Sequence, residues 1–364
     1  MPPEAPGTSW QLFHCNDEIW EAVVSDCAAA QTSIDLEQYI FEPGGIGSRL
    51  LDVLAERARR GVRVRLLCDA FGSSALMDSA PLHRLLAAGG EAQFYNRPMA
   101  TQLAHVPPRI HRDHRKSIVL DGRIGWLGGT CFAERMAGWR DTMVRFQGPP
   151  VDSAAVVFDT AWTRATQQKS HHGQRKQPPE NPPPEKPGEY RYLINSPERP
   201  RNRVLYQSLR AQVRRAATRI RFVTPYFAPD RGFMKDLQAA LARGVHLDLV
   251  LPGVSDYPAF DVVSHSFGSR LAGHGARVWF YRSATLHAKL VTMDEGWAAV
   301  GSMNVDRLSF RINLENALVS TDAAFIRAVD DQIDRDIAQS SETRPHLPRW
   351  SPMAEPLVRL ASHL

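Results

Sequence analysis

Two short stretches combine residue types suited to chemistry on an anion. His287-Ala-Lys289 is followed by Asp294, and His114-Arg-Lys116 by Asp121, so both read His-x-Lys-x4-Asp. In extended chain, residues i and i+2 share a face, so each imidazole is expected beside its ammonium. An imidazole can attack or carry protons, and a lysine neutralises phosphate oxygens. One such triplet occurs by chance in many strands, but two matched copies in one chain do not. Gly301, Ser302 and Asn304 follow the second copy; the neutral donors of Ser302 and Asn304 suit the same anion. The carboxylates Glu315 and Asp141 trail their histidines at nearly equal distances.

The elements around the motifs repeat as well. Ile19, Trp20, Val23, Val24 and Cys27 mark one face of a helix over 16–30. A strand follows at Ser33–Phe41, then a helix at Ser48–Arg60 with Gly61 as its C-terminal stop, then a strand at Val62–Cys68. Strand, helix, strand in that order predicts a right-handed βαβ unit and an α/β fold with a mixed, mainly parallel sheet flanked by helices. In the second half, Ile220–Tyr226, the helix ending at Gly244, and Val245–Leu251 mirror these elements. Two copies mean a duplication rather than a solenoid. The domains expected are 10–166 and 189–340, joined by a Pro-rich, charged linker at 167–188 and followed by a tail at 341–364. A pseudo-twofold relation between the halves would let both motifs serve one site.

The motifs resemble the paired HKD signatures of the phospholipase D superfamily. The flanks Ile34-Asp-Leu-Glu-Gln-Tyr-Ile-Phe41, Thr224-Pro-Tyr-Phe227, Gly301-Ser-Met-Asn304 and Asn313-Leu-Glu315 narrow the resemblance to bacterial cardiolipin synthases. It covers nearly the whole chain. The resemblance implies phosphatidyl transfer through a phosphohistidine, with His114 as nucleophile and His287 as general acid and base. The sequence itself does not say which histidine attacks. By the same resemblance Lys116 and Lys289 neutralise non-bridging oxygens, and Ser302 and Asn304 bind phosphate. Asp141 and Glu315 are each expected to orient the imidazole of their own motif. Asp121 and Asp294 belong to the catalytic signature, yet local bracing of the strand and turn is their expected role. Where the family has Gly-Gly-x-Asn, the first copy reads Gly128-Gly-Thr-Cys131 and lacks an amide donor. No cofactor or metal is expected, because the lysines stand where a cation would.

The 364 residues carry a net charge of +5, which fits an anionic partner without choosing between a phospholipid surface and nucleic acid. Phospholipids such as phosphatidylglycerol are the substrates implied, nucleic acid is the less expected partner, and the oligomeric state is left open. The four cysteines, Cys15, Cys27, Cys68 and Cys131, show no CxxC pair or zinc spacing, which fits reduced thiols. No basic stretch followed by an apolar core opens the chain, and no apolar run of about 18 residues occurs, so no signal peptide or spanning helix is expected. Many cardiolipin synthases begin with spanning helices; this sequence departs from them, and the location expected here is cytoplasmic and peripheral to the inner membrane. Hydrolysis by the same residues, with water as acceptor, is the main alternative, and a nuclease-type phosphodiesterase a further one. A non-catalytic lipid-binding module is the reading least compatible with two intact His-Lys pairs. Tyr39, Phe41, Tyr226 and Phe227 could line a lipid groove or pack in the core. Arg109, His111 and Arg112 could steer a headgroup or be solvated, and Met353, Leu357, Leu360, Ala361 and Leu364 give the tail one apolar helical side.

Overall fold

A computed structural model describes residues 7–96, 111–167, 186–196 and 200–342. Most of the Pro-rich stretch, Arg109, and the apolar side of the tail lie outside the described residues. By internal contacts the chain forms two units. Unit 1 takes residues up to Ala137 and from Met143 to Glu180, and unit 2 takes Gly138–Thr142 together with the chain from Asn181 onward. Those five residues, which the sequence reading keeps in the first half, are the one place where the chain leaves unit 1 and returns.

Unit 1 contains strands β1 (Ser9–Phe13), β2 (Ser33–Gln38), β3 (Arg63–Asp69), β4 (Glu91–Tyr95), β5 (Ser117–Leu120), β6 (Ile124–Gly128) and β7 (Met143–Gln147). They form one seven-stranded sheet in the order β1-β7-β6-β5-β2-β3-β4. Helices α1 (Asn16–Ala29), α2 (Gly45–Arg59), α3 (Ala80–Ala87) and α4 (Pro150–Gln167) accompany it. The apolar face expected for α1 is buried, from Ile19 and Trp20 through Val23 and Val24 to Cys27.

Unit 2 repeats the plan with β8 (Tyr190–Asn195), β9 (Arg219–Val223), β10 (Phe227–Ala228), β11 (His246–Pro252), β12 (Arg277–Tyr281), β13 (Leu290–Met293), β14 (Trp297–Gly301), β15 (Val305–Asp306), β16 (Glu315–Ser320) and β17 (Ser340–Ser341). Eight of these form a sheet in the order β17-β12-β11-β9-β13-β14-β16-β8, and β10 pairs with β15. Its helices are α5 (Val204–Arg215), α6 (Arg231–Ala242), α7 (Pro258–Ala272), α8 (Arg307–Arg311) and α9 (Ala323–Ala338). Phe222, Phe233, Leu249 and Phe310 are among the side chains of its core with no solvent exposure.

The expectation of a mainly parallel sheet is corrected. In unit 1 only β2-β3 and β3-β4 run parallel, and every other neighbouring pair is antiparallel. Unit 2 likewise confines parallel pairing in its large sheet to β9-β11 and β11-β12. The βαβ unit is real, but the motif strands are joined to the next strand by tight hairpins, which require antiparallel pairing. Each motif strand also runs antiparallel to the first strand of the βαβ unit, β5 to β2 and β13 to β9.

Helix stops fix the repeat. Gly61 and Gly244 have φ of +85° and +87°, the left-handed conformation that glycine adopts without steric cost. Val62 N then donates to Arg57 O and Val245 N to Ala240 O, both at 3.1 Å, closing the ends of α2 and α6 in the same manner. The chain is thereby turned into β3 and β11 at matching points.

Candidate active site

The His-x-Lys segments lie immediately before β5 and β13 rather than within them. Each is nevertheless extended and buried, with His114 8% and His287 7% exposed and the lysines less than either. In unit 1, Lys116 Nζ donates to His114 O at 2.7 Å, and the Tyr39 ring packs edge-on to the imidazole at 4.8 Å. The same ring lies 5.1 Å from the lysine ammonium. Arg115, between the motif residues, points elsewhere and bonds buried Glu37 (2.8 Å) and Asp113 (2.9 Å). Alternation thus sends the arginine to structure and leaves the histidine and lysine together.

In unit 2, Lys289 Nζ donates to His287 O and lies 3.0 and 3.1 Å from the two ring nitrogens. His287 Nδ1 lies 2.6 Å from Asp141 Oδ2. A one-residue parallel bridge between Arg140 and Leu286 makes this possible. Arg140 N donates to Thr285 O at 2.9 Å and His287 N to Arg140 O at 2.8 Å, setting Asp141 beside the imidazole. Arg140 is fixed in turn by two 2.7 Å bonds to the buried Asp336 carboxylate. Its other terminal nitrogen donates to Asp141 O and Thr142 Oγ1, each at 2.7 Å. Trp139 and Tyr226 stand against His287, with ring centroids 5.8 and 6.5 Å away.

This corrects the expected pairing. The carboxylate that trails His114 in sequence orients His287 of the other motif. Burial first, and then the Lys289 ammonium, push the His287 pKa below the ordinary imidazole value, against the opposing pull of Asp141. Burial would raise the Asp141 carboxyl, but Lys289 and His287 outweigh it and hold it below the usual carboxylate range. A carboxylate therefore faces a neutral imidazole, assigning the Nδ1 proton to the Asp141 bond and leaving Nε2 as the basic nitrogen.

Glu315 is fully buried and accepts a hydrogen bond from Ser302 Oγ. Gly301 makes this approach possible: a Cβ there would come within 2.3 Å of Asn316 O on β16. Ser302 is further tied to β16, donating from N to Asn316 O (2.9 Å) and accepting at Oγ from Asn316 N (3.0 Å). Asn304 is buried, and its side-chain oxygen has no protein partner. Cys131 at the matching position of the first copy is buried, and its carbonyl accepts the Trp20 indole N–H at 2.9 Å.

The motif aspartates bond to the chain just before the neighbouring strand, a bracing role. Asp121 accepts from the backbone N–H of Gln31, Thr32 and Ser33 and from Thr32 Oγ1. Asp294 repeats this on Ala217, Thr218, Arg219 and Thr218 Oγ1. Both have left-handed backbone, with φ of 53° and 51°. Partial burial would raise both carboxyls, but those N–H groups outweigh it and hold them low. The aspartates therefore lock each motif hairpin to the strand beside it.

The sequence leaves Tyr39 and Tyr226 between core and groove and singles out neither Arg140 nor Asp336. The tyrosines follow β2 and β9, the strands beside the motif strands, so matching flanks in the two copies are their available signal. Nothing in the local sequence of Arg140 announces a partner on α9.

Comparison with known proteins agrees with this duplicated geometry. A sequence model of the family described as "Cardiolipin synthase, PLD-like domain" matches residues 23–162 and 209–337. The chain belongs to this cardiolipin synthase, PLD-like family. Among its relatives, Cardiolipin synthase A of Pseudomonas aeruginosa strain LESB58 is 31% identical over 338 residues, covering 90% of this chain and 66% of that one. Cardiolipin synthase 1 of Staphylococcus epidermidis strain RP62A is 28% identical over 336 residues, covering 90% and 68%. The fold is similar to that of a phosphatidylserine synthase from Haemophilus influenzae, with a TM-score of 0.74 at 14% identity over 96% of this chain and 91% of that one. For this member of the family, no helix among the described residues is long and apolar enough to cross a membrane.

Proposed function

We propose that the protein is a phosphatidyltransferase of the cardiolipin synthase type, moving a phosphatidyl group from one phospholipid to a hydroxyl of another. The observation that carries this reading is the buried Asp141–His287–Lys289 arrangement, which joins a directed proton carrier to a fixed cation. In the reaction proposed, the His114 imidazole attacks the donor phosphorus and the bond to the leaving glycerol oxygen breaks. Protonated His287 gives its proton to that oxygen and glycerol departs. The neutral His287 then takes the proton of the incoming hydroxyl, whose oxygen attacks phosphorus and releases His114. Lys116 and Lys289 offset charge on the non-bridging oxygens throughout, and preorganised cations cost no rearrangement as that charge develops. Asn304 supplies a hydrogen bond to the same phosphate, while Ser302, whose one hydroxyl proton goes to Glu315, braces the pocket instead of binding phosphate.

The lowered pKa of His287 suits the second step, in which it is a base. An anionic phosphate bound beside it opposes Lys289 and raises the pKa, which suits the first step. The substrates proposed are phosphatidylglycerol or similar lipids, met by a peripheral protein at the cytoplasmic face of the inner membrane. The test is incubation of the full-length protein with phosphatidylglycerol vesicles and mass spectrometry of the products. Cardiolipin with released glycerol is expected. Phosphatidic acid alone would make it a hydrolase, and no turnover of lipid would overturn the reading.

A further inference from the structure

One further repeated feature is not used by the histidine chemistry. The offset that maps Gly61 onto Gly244 maps Phe71 onto Val254. The backbone repeats there too: Ala70 N donates to Tyr95 O at 2.9 Å, and Gly253 N to Tyr281 O at 2.8 Å. One residue on, each chain turns an apolar side chain outward, with Phe71 67% and Val254 69% exposed, and Tyr257 in the second loop 61% exposed. Isolated exposed apolar residues are ordinary. The same exposure at equivalent loop positions of two diverged copies is a pattern, and it needs an apolar partner.

Each tip is tied to its own histidine. Asp69 accepts from Phe71 N at 2.9 Å and, through its other oxygen, from Asp113 N at 3.0 Å, next to His114. In unit 2, Asp256 accepts the Tyr226 hydroxyl at 2.6 Å, and the Tyr226 ring faces His287. Each tip also has an arginine behind it. The Arg112 guanidinium lies 4.9 Å from the Phe71 ring. Arg282 packs so closely on Gly253 that a Cβ there would meet its Cδ at 3.3 Å. An apolar tip backed by a cation matches the headgroup boundary of an anionic bilayer, which takes apolar side chains a few ångströms deep and attracts basic groups.

We propose that the Phe71 and Val254 loops dock on an anionic membrane surface, each bringing the histidine of its own unit to headgroup phosphates. The proposal rests on the lipid-substrate reading above. The test is a Phe71→Ser/Val254→Ser double variant of the full chain. Sedimentation with phosphatidylglycerol–phosphatidylcholine vesicles measures docking. Turnover of a short-chain phosphatidylglycerol, kept monomeric, measures chemistry. Vesicle affinity is expected to fall about tenfold or more, with turnover of the monomeric lipid within about twofold of wild type. Undiminished vesicle binding overturns the proposal, as does a wild type that does not bind. Equal loss of monomer turnover overturns it by assigning the side chains to the substrate pocket. Unchanged vesicle binding with a smaller sedimenting species overturns it in favour of a second copy as the occupant. Docking is read without turnover, so His114→Ala is expected to bind vesicles like wild type even though it transfers nothing. If wild type turns over no lipid, the function reading fails while the docking comparison still stands.

Discussion

His287 Nδ1 and Asp141 Oδ2 are 2.6 Å apart although 146 positions separate the residues in sequence. The pair makes the proton-carrying imidazole of one motif depend on a carboxylate that follows the other. Asp141 raises the pKa of His287, against burial and Lys289, which lower it.

Asp141→Asn is therefore expected to lower the His287 pKa further and to loosen its tautomer. Transfer should fall by about 10²- to 10⁴-fold, as for other orienting carboxylates. The sign of the pH effect follows. If protonated His287 is the acid of the first step, kcat/KM declines as pH rises through its pKa, and in the variant that decline moves to lower pH. A pH–rate profile of both proteins checks this; an unmoved limb would show that another group sets it.

Asp121 and Asp294 act on stability. Removing either strands three backbone donors and one hydroxyl, so Asp121→Ala or Asp294→Ala should cost about 1–3 kcal/mol. Asparagine tolerates left-handed backbone and keeps one acceptor, so Asp→Asn at either position should cost less than Asp→Ala. Denaturant melts give the order, and kcat per folded molecule should stay within about threefold in all four variants.

Arg140 joins stability to chemistry. Arg140→Ala would leave Asp336 buried without its cation, a loss of about 3–5 kcal/mol, and would remove the guanidinium bonds to Asp141 O and Thr142 that steady the segment beside His287. Lysine is a poor substitute, since one ammonium cannot reproduce a two-bond fork onto Asp336 while also reaching Thr142. Thermal melts and transfer assays of Arg140→Ala and Arg140→Lys are expected to show both losses in both variants, smaller for lysine.

Cys131→Asn restores the amide donor of the second copy. With the histidines and lysines of both motifs present, transfer should change by no more than about threefold. The cost of a larger polar side chain at a buried position should appear as a lower Tm. A large gain in activity would mark the cysteine as a handicap.

Much of the architecture is legible in the sequence because local signals agree with the global fold. The apolar face of α1 and the glycine after α2 each predict the element found. Strand direction was not legible. A strand read by its period of two looks the same whichever way its neighbour runs, so the antiparallel pairing of β5 with β2 escaped notice. The histidines and lysines were legible because their spacing repeats, whereas the partner of Asp141 was not, because proximity in sequence favoured His114 and only folding selects His287. A bracing role for Asp121 and Asp294 was legible in kind, but not its partners, which lie 88 to 90 and 75 to 77 positions earlier in the chain rather than in the adjoining turn.

The excursion of Gly138–Thr142 into unit 2 means that the two copies are no longer separable modules. Cutting the chain in the Pro-rich stretch would yield a C-terminal fragment that keeps His287 and Asp336 but loses Asp141 and Arg140. Whatever ancestor gave rise to the duplication, the present first half has lent five residues to the second. Neither half carries a complete inheritance.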